Sequence, residues 1–368
     1  MHITGIRIDR LTLPLEPAFA AAWDPEPRRS FGATIVRVET DAGVVGVGSG
    51  DTMDGFAAYE HLFVGKDPLA IARHVRSLET IAFHAGRYWP LEAALWDIVG
   101  QVAGLPVATL FGGATDGLPV YASCGELKSP EARAESALRL RDEGFRALKI
   151  RIDPHRFAEG LEAVRATRHA VGASMEIMVD LNQGWRMPGD IGPSLDPAAA
   201  RSIAAELREL GILWLEEPLA EGDLRGLADL CRTTGVRIAG GEMTRTMAGF
   251  LAAMDAEAFD VYQPDVVLAV GMLRARTIAE LAQARNRWFT PHTWTNGIGV
   301  LANLHVAAGV GGGPFLEYPY DPPGWTPERR DFMLAEPLRP GSDGILRVPD
   351  RPGLGIVLDE VAVKRFAA

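Results

Sequence analysis

Seven residues at near-regular spacing could do chemistry in this sequence: Lys149, Asp180, Glu216, Glu242, Asp265, His292 and Glu317, separated by 31, 36, 26, 23, 27 and 25 positions. Each falls at the end of a short apolar run, in ALKIRI, EIMVDL, ILWLEE, RIAGGE, FDVYQPD, WFTPH and PFLEYP. A charged group closing an apolar strand is costly to bury alone. One such group is ordinarily a helix N-cap or a solvated loop residue, whereas seven in step define a shared site. Asp180, Glu216 and Glu242 on consecutive strands would converge, and converging carboxylates repel unless a cation neutralises them. All-oxygen ligation without Cys or clustered His favours Mg2+, with Mn2+ as a substitute. Alternation leaves open which of Glu216 and Glu217 faces that cation. Asn182, two residues past Asp180, could touch the metal shell, the substrate or its own backbone. His292 beside Asp265 is the pair a general base needs, a structural Asp–His pair being the alternative. The other seven histidines take no role.

Elements must bring these residues together. After Leu118, the seven runs and VYASC before them alternate with Ala/Leu/Arg-rich amphipathic stretches, the pattern of βα units around a parallel sheet. Eight such strands over roughly 200 residues fit a closed barrel with its site at the strand C-termini. Before them, Ile3 to Pro14, Thr34 to Thr40 and Val44 to Gly48 alternate as an antiparallel sheet, with Asp41-Ala42-Gly43 as a turn. Pro14 to Ser30, rich in Pro and charge and without a period, reads as a long loop, and loops of that length are more often functional than idle. Helical spacing from Asp67 stops at Gly104-Leu105-Pro106. The expected fold is α/β, a modified TIM barrel of (β/α)7β type with an N-terminal α+β domain. Its divisions are 1–117, the barrel at 118–320, and a Pro/Gly-rich segment at 321–368 that crosses back to the first.

Composition bounds the function. With 37 Lys plus Arg against 48 Asp plus Glu, the net charge is −11, which opposes attraction to nucleic acid or anionic lipid. No run approaches the length of a membrane span, and MHITGIRIDRLTLPL lacks the parts of a signal peptide. Cys124 and Cys231, far apart and outside any C-x-x-C, make neither a disulfide framework nor a zinc site, so a reduced cytoplasm is the expected setting.

With those residues in hand, the chain resembles the enolase superfamily, mandelate racemase subgroup. The likeness spans nearly the whole length through ALWDIVGQVAGLPVATLFGG, KIR, VDLNQGW, LEEP, GGE, QPD, PHTW and LEYP in order. It implies that Asp180, Glu216 (the first of its pair) and Glu242 bind Mg2+, and that the His292–Asp265 dyad is the base. It implies that Glu317 hydrogen-bonds the substrate carboxylate as it becomes an enediolate, with Lys149 and position 151 on the opposite face. The first domain would cap the barrel, the loop after its first strand making Trp23, Arg28, Arg29, Asp51 and Met53 candidates for reading the distal end of a small carboxylate substrate. Trp185 and Trp294 could line the pocket or pack beneath it. A homo-oligomer is the family's habit.

Position 151 departs from the pattern. The subgroup's racemases resemble Lys-x-Lys, whereas this chain has Lys149-Ile150-Arg151. Arginine stays charged and is a poor proton acceptor, though a good fork for a carboxylate or hydroxyl. A single-base route is therefore favoured: dehydration of a sugar acid to a 2-keto-3-deoxy acid. Racemisation or epimerisation of an α-substituted carboxylate is the nearest rival, and a non-catalytic binding or structural barrel is a rival of another class. Muconate-type cycloisomerases resemble paired lysines on strands two and six, where this chain offers Asp265. A metal hydrolase would want an H-x-H at the first strand, which VYASCG lacks.

Overall fold

The computed structural model describes residues 1–50 and 52–368. Strands β1 (Ile3–Phe19), β2 (Arg28–Thr40) and β3 (Val45–Gly50) form an antiparallel sheet in that order. The strands take up both ends of the expected Pro14 to Ser30 loop, which shrinks to residues 20–27 around Trp23. Pairing continues from Pro14 opposite Ser30 to Phe19 opposite Arg28 across a register shift. β1 is an edge strand, where a proline's missing N–H costs no ladder bond, so the Pro content concealed the pairing. Helices α1 (Ile71–His84), α2 (Trp89–Ala103) and α3 (Val107–Leu110) follow. Pro90 opens α2, Gly104 closes it in the left-handed conformation, and β3 lies directly on it. A Cβ at Gly46 or Gly48 would stand 2.1 Å from an α2 carbonyl, so the sheet can approach that helix only through glycine.

The second part alternates strictly: β4 (Gly117–Ser123), α4 (Pro130–Asp142), β5 (Ala147–Arg151), α5 (Phe157–Val171), β6 (Glu176–Asp180), α6 (Pro197–Glu209), β7 (Trp214–Glu216), α7 (Leu224–Thr233), β8 (Arg237–Gly240), α8 (Met247–Asp255), β9 (Val261–Tyr262), α9 (Met272–Gln283), β10 (Trp288–Phe289), α10 (Gly297–Val310) and β11 (Leu316–Pro319). Parallel ladders run from β10 back through β4 to β11. Among the described residues no ladder joins β11 to β10. Thr293 Oγ1, donating to Glu317 O at 2.8 Å, and Gly313 N, donating to Phe289 O at 2.5 Å, span that seam. Eight parallel strands with full helices after the first seven make the (β/α)7β barrel that the alternation predicts. Past β11 come the single turn α11 (Pro327–Arg330), β12 (Ile345–Arg347), antiparallel to β4, and α12 (Glu360–Arg365). The chain end bonds to β1, with Thr12 N donating to Phe366 O at 2.8 Å.

Register decides what the barrel presents. Tyr121, Ala147, Met178, Trp214, Ala239 and Val261 form one fully buried interior layer. Two residues on, with the same inward direction, stand Ser123, Lys149, Asp180, Glu216 and Gln263. Ser123 pairs with Lys149, Arg151 with Asp180, and Asp180 with Glu216 across neighbouring strands. A layer of apolar filling is thus capped by a layer of charge. No helix among the described residues is long and apolar enough to cross a membrane.

Candidate active site

Asp180, Glu216 and Glu242 each offer a carboxylate oxygen, and the three lie within 4.8 Å of one another, all buried. Glu216 faces inward with Trp214. Its Oε2 accepts from Trp214 Nε1 (3.0 Å) and Gln263 Nε2 (2.8 Å), and its Oε1 accepts from Lys149. Glu217, its backbone at φ 44°, packs against Gly184, where a Cβ would fall 2.1 Å from its Oε1. The glycine of the LNQGW run therefore makes room for this carboxyl. Burial, then Glu242 and Asp180, push Glu217 well above the usual carboxylate range.

Lys149 is buried amid acids, 2.8 Å from Glu317 Oε1 and 3.4 Å from Asp180 Oδ2, besides its contact with Glu216. Burial opposes its charge, but Glu216, Glu317 and Asp180 outweigh that and hold it protonated. Glu317 is fixed from both sides. Ser123 Oγ donates to Oε1 at 2.7 Å and Thr293 N to Oε2 at 2.7 Å, and Lys149, His292 and Arg151 overcome its burial to bring it down to about 2. His292 Nδ1 lies 3.0 Å from Asp265 Oδ2, and Nε2 lies 3.7 Å from Glu242 Oε1. Asp265 is anchored in turn, its Oδ1 accepting from Val267 N (2.8 Å) and Leu268 N (3.1 Å).

Arg151 is clamped. Its guanidinium stacks over Trp23 (4.3 Å) and Trp294 (5.0 Å), while its nitrogens donate to Cys124 O (2.7 Å) and Asn182 Oδ1 (3.1 Å). Asn182, at φ 46°, is committed to its neighbours: its N–H donates to Asp180 Oδ1 at 2.8 Å. A cavity of about 930 Å3 opens above these groups, lined among others by Trp23, Arg28, Arg151, His292 and Trp294. Trp185 and Glu242 also line it. Arg28 is tied to Asp24. Arg29 is exposed on β2 and is not part of that lining, and Met53 is packed in the core of the first domain. Asp51 lies outside the described residues. Reasoning from residue types passed over Ser123, Gln263 and Thr293. The first two were visible as polar residues closing or flanking apolar runs in step with the seven.

Residues 28–112 match the family described as Mandelate racemase / muconate lactonizing enzyme, N-terminal domain, and 132–362 match the Enolase C-terminal domain-like family. The chain belongs to the enolase superfamily. Within that superfamily, a 3,6-anhydro-alpha-L-galactonate cycloisomerase of Streptomyces coelicolor is 32% identical, the match covering 99% of each chain. An arabinonate dehydratase of Saccharolobus solfataricus is 30% identical over 75% of this chain and 70% of its own. A solved racemase from Streptomyces coelicolor A3(2) with bound magnesium is similar at TM-score 0.84 and 30% identity, covering 100% of both chains. Other relatives in the superfamily include dehydratases and an epimerase. This enolase-superfamily member is an enzyme of the lyase or isomerase class.

Proposed function

We propose that the enzyme removes the proton next to the carboxylate of a sugar acid and expels the 3-hydroxyl as water, giving a 2-keto-3-deoxy acid. The single observation that carries this reading is the Asp265-held imidazole of His292 facing the buried carboxylate trio. Asp180, Glu216 and Glu242 are fitted to hold Mg2+, with Mn2+ as a substitute. Glu242 Oε2 is buried without a hydrogen-bond partner among the described residues. Burial and the crowding of like charges lift both Glu242 and Glu216, the latter to about 7, which is the signature of a site short of positive charge. Bound there, the cation would neutralise the trio and polarise the substrate carboxylate.

The remaining roles belong to this chain's own groups. Asp265 occupies Nδ1 of His292, leaving Nε2 to accept the C2 proton. Lys149 is the fixed cation for the charge that develops on the carboxylate, and Glu317, ionised in the substrate-free site, must take up a proton to hydrogen-bond that carboxylate. The C2–H electron pair then forms the C2–C3 double bond as the C3–O bond breaks. Nε2 returns its proton to the departing hydroxyl, and the enol left behind becomes the ketone. Arg151 orients a substrate oxygen and the Trp23 loop, since a clamped guanidinium accepts no proton. Trp23, Arg28 and Trp294 read the distal end, and Asn182 holds Asp180 in place.

Lys149 and Arg151, each held as a cation by the buried acids around it, weigh against two-base racemisation, since neither is free to accept a proton. A second reading is favoured by the near full-length likeness to a cycloisomerase. The same proton is removed, but the departing oxygen stays tethered to the substrate, so an isomer forms and no water is released. Incubation with a sugar-acid and anhydro-sugar-acid panel, with keto-acid detection and deuterium at C2, separates them. Keto-acid formation from an open-chain acid supports dehydration, formation only from a cyclic acid supports the second reading, and C2 exchange without either product overturns both.

A further inference from the structure

Trp185, on the segment that leaves β6, donates its indole Nε1–H to Glu242 Oε1 at 2.6 Å. The same oxygen lies 3.7 Å from His292 Nε2, while the other, Oε2, is buried and has no hydrogen-bond partner among the described residues. A buried carboxylate left free to rotate would turn toward the nearest cationic or donor group, here the imidazole, and an ion pair there would occupy both Glu242 and His292. We propose that Trp185 is a positioning residue: its N–H captures Oε1, so that Oε2 is presented to the cation and Nε2 of His292 stays available. The inference rests on the reading above, in which Glu242 is a metal ligand.

The indole suits this task. It donates and cannot accept, so it neither competes for the cation nor takes up the substrate's proton. The backbone that carries it is tied down. Arg186 donates to Asn182 O (3.2 Å), Gln183 Oε1 (2.9 Å) and Ser194 Oγ (3.1 Å), closing the segment upon itself. Asn182 at its start is bonded to Asp180, so two of the three carboxylates are oriented from one stretch of chain.

The test is calorimetric titration of the metal-free full chain with Mg2+, comparing the native protein, Trp185→Phe, and Met187→Ala as a control in the same segment that also lines the cavity. Trp185→Phe keeps the ring and removes the donor, and is expected to weaken Mg2+ binding by about 10- to 100-fold, the usual loss when an outer partner of a ligand is removed. Met187→Ala is expected to stay within about threefold of native. Unchanged affinity in Trp185→Phe, or equal losses in both variants, overturns the positioning role while native Mg2+ binding leaves the broader reading standing. Failure of the native protein to bind Mg2+ overturns both. Should Trp185→Phe not fold, Trp185→His, which retains a ring N–H, must bind Mg2+ more tightly than Trp185→Ala, and equal affinities overturn the proposal.

Discussion

His292 illustrates how charge placement sets the behaviour of one residue. Burial would pull its imidazole down, yet Glu242, Glu317 and Asp265 outweigh burial and lift it to about 9. A base must be unprotonated to work, so kcat/KM is expected to rise with pH. Its midpoint should lie between the ordinary imidazole value of about 6.5 and about 9, falling within that window as Glu242's charge is taken up by a cation. A pH–rate profile that falls across that range would remove His292 from the chemistry. Replacing it by Asn keeps shape and deletes the acceptor; turnover should drop by about 10²- to 10⁴-fold while Mg2+ affinity, read by calorimetry, is retained. Retained turnover would sink the assignment.

The joints between elements carry their own titration. Glu92 on α2 accepts from Leu273 N at the start of α9 (2.8 Å) and from Trp96 Nε1 (3.2 Å), while its Oε2 is buried without a partner among the described residues. Burial outweighs these bonds and raises the group to about 7. A raised folded value means that the stabilisation is complete below the unfolded value near 4.5 and is lost as pH climbs through about 7. Thermal midpoints of Glu92→Gln should accordingly fall less than native between mildly acidic and mildly alkaline pH, and parallel curves would refute the prediction. His305 behaves oppositely. Its Nδ1 accepts from Ala108 N (3.0 Å) and its Nε2 faces Leu354 O (3.2 Å), fixing a neutral ring that joins α10, α3 and the C-terminal segment. Burial lowers it to about 4, so its contribution is present above the usual 6.5 and lost as pH falls through about 4. His305→Ala leaves a buried donor and acceptor unmatched and opens a void, a loss of about 2–4 kcal/mol measurable by denaturant unfolding.

For the whole molecule, the carboxylate trio couples cation binding to stability. A ligand that binds only the folded chain at a hundred times its Kd stabilises by about 2.7 kcal/mol, so Mg2+ should raise the melting temperature by several degrees and a chelator should reverse the gain. Asp180→Asn should abolish that increment. An equal Mg2+ response in native and variant would show that the cation acts elsewhere.

The seven strand-end groups, their order and the alternation of strand and helix were legible in the residues, because side-chain direction repeats every second residue along a strand and each βα unit advances one place around the barrel. Trp185 reaching Glu242 across 57 positions was not legible, because no local period reports where a loop lands. Alternation alone did not separate Glu216 from Glu217, and it did not show the pairing of Pro14 with Ser30, which depends on β1 lying at a sheet edge. Covalent spacing determined which chemical groups arrive at the barrel mouth. Tertiary packing decided that Glu242 Oε1 is held by Trp185 while its Oε2 is left without a partner among the described residues, because that outcome depends on groups distant in sequence meeting in one buried site.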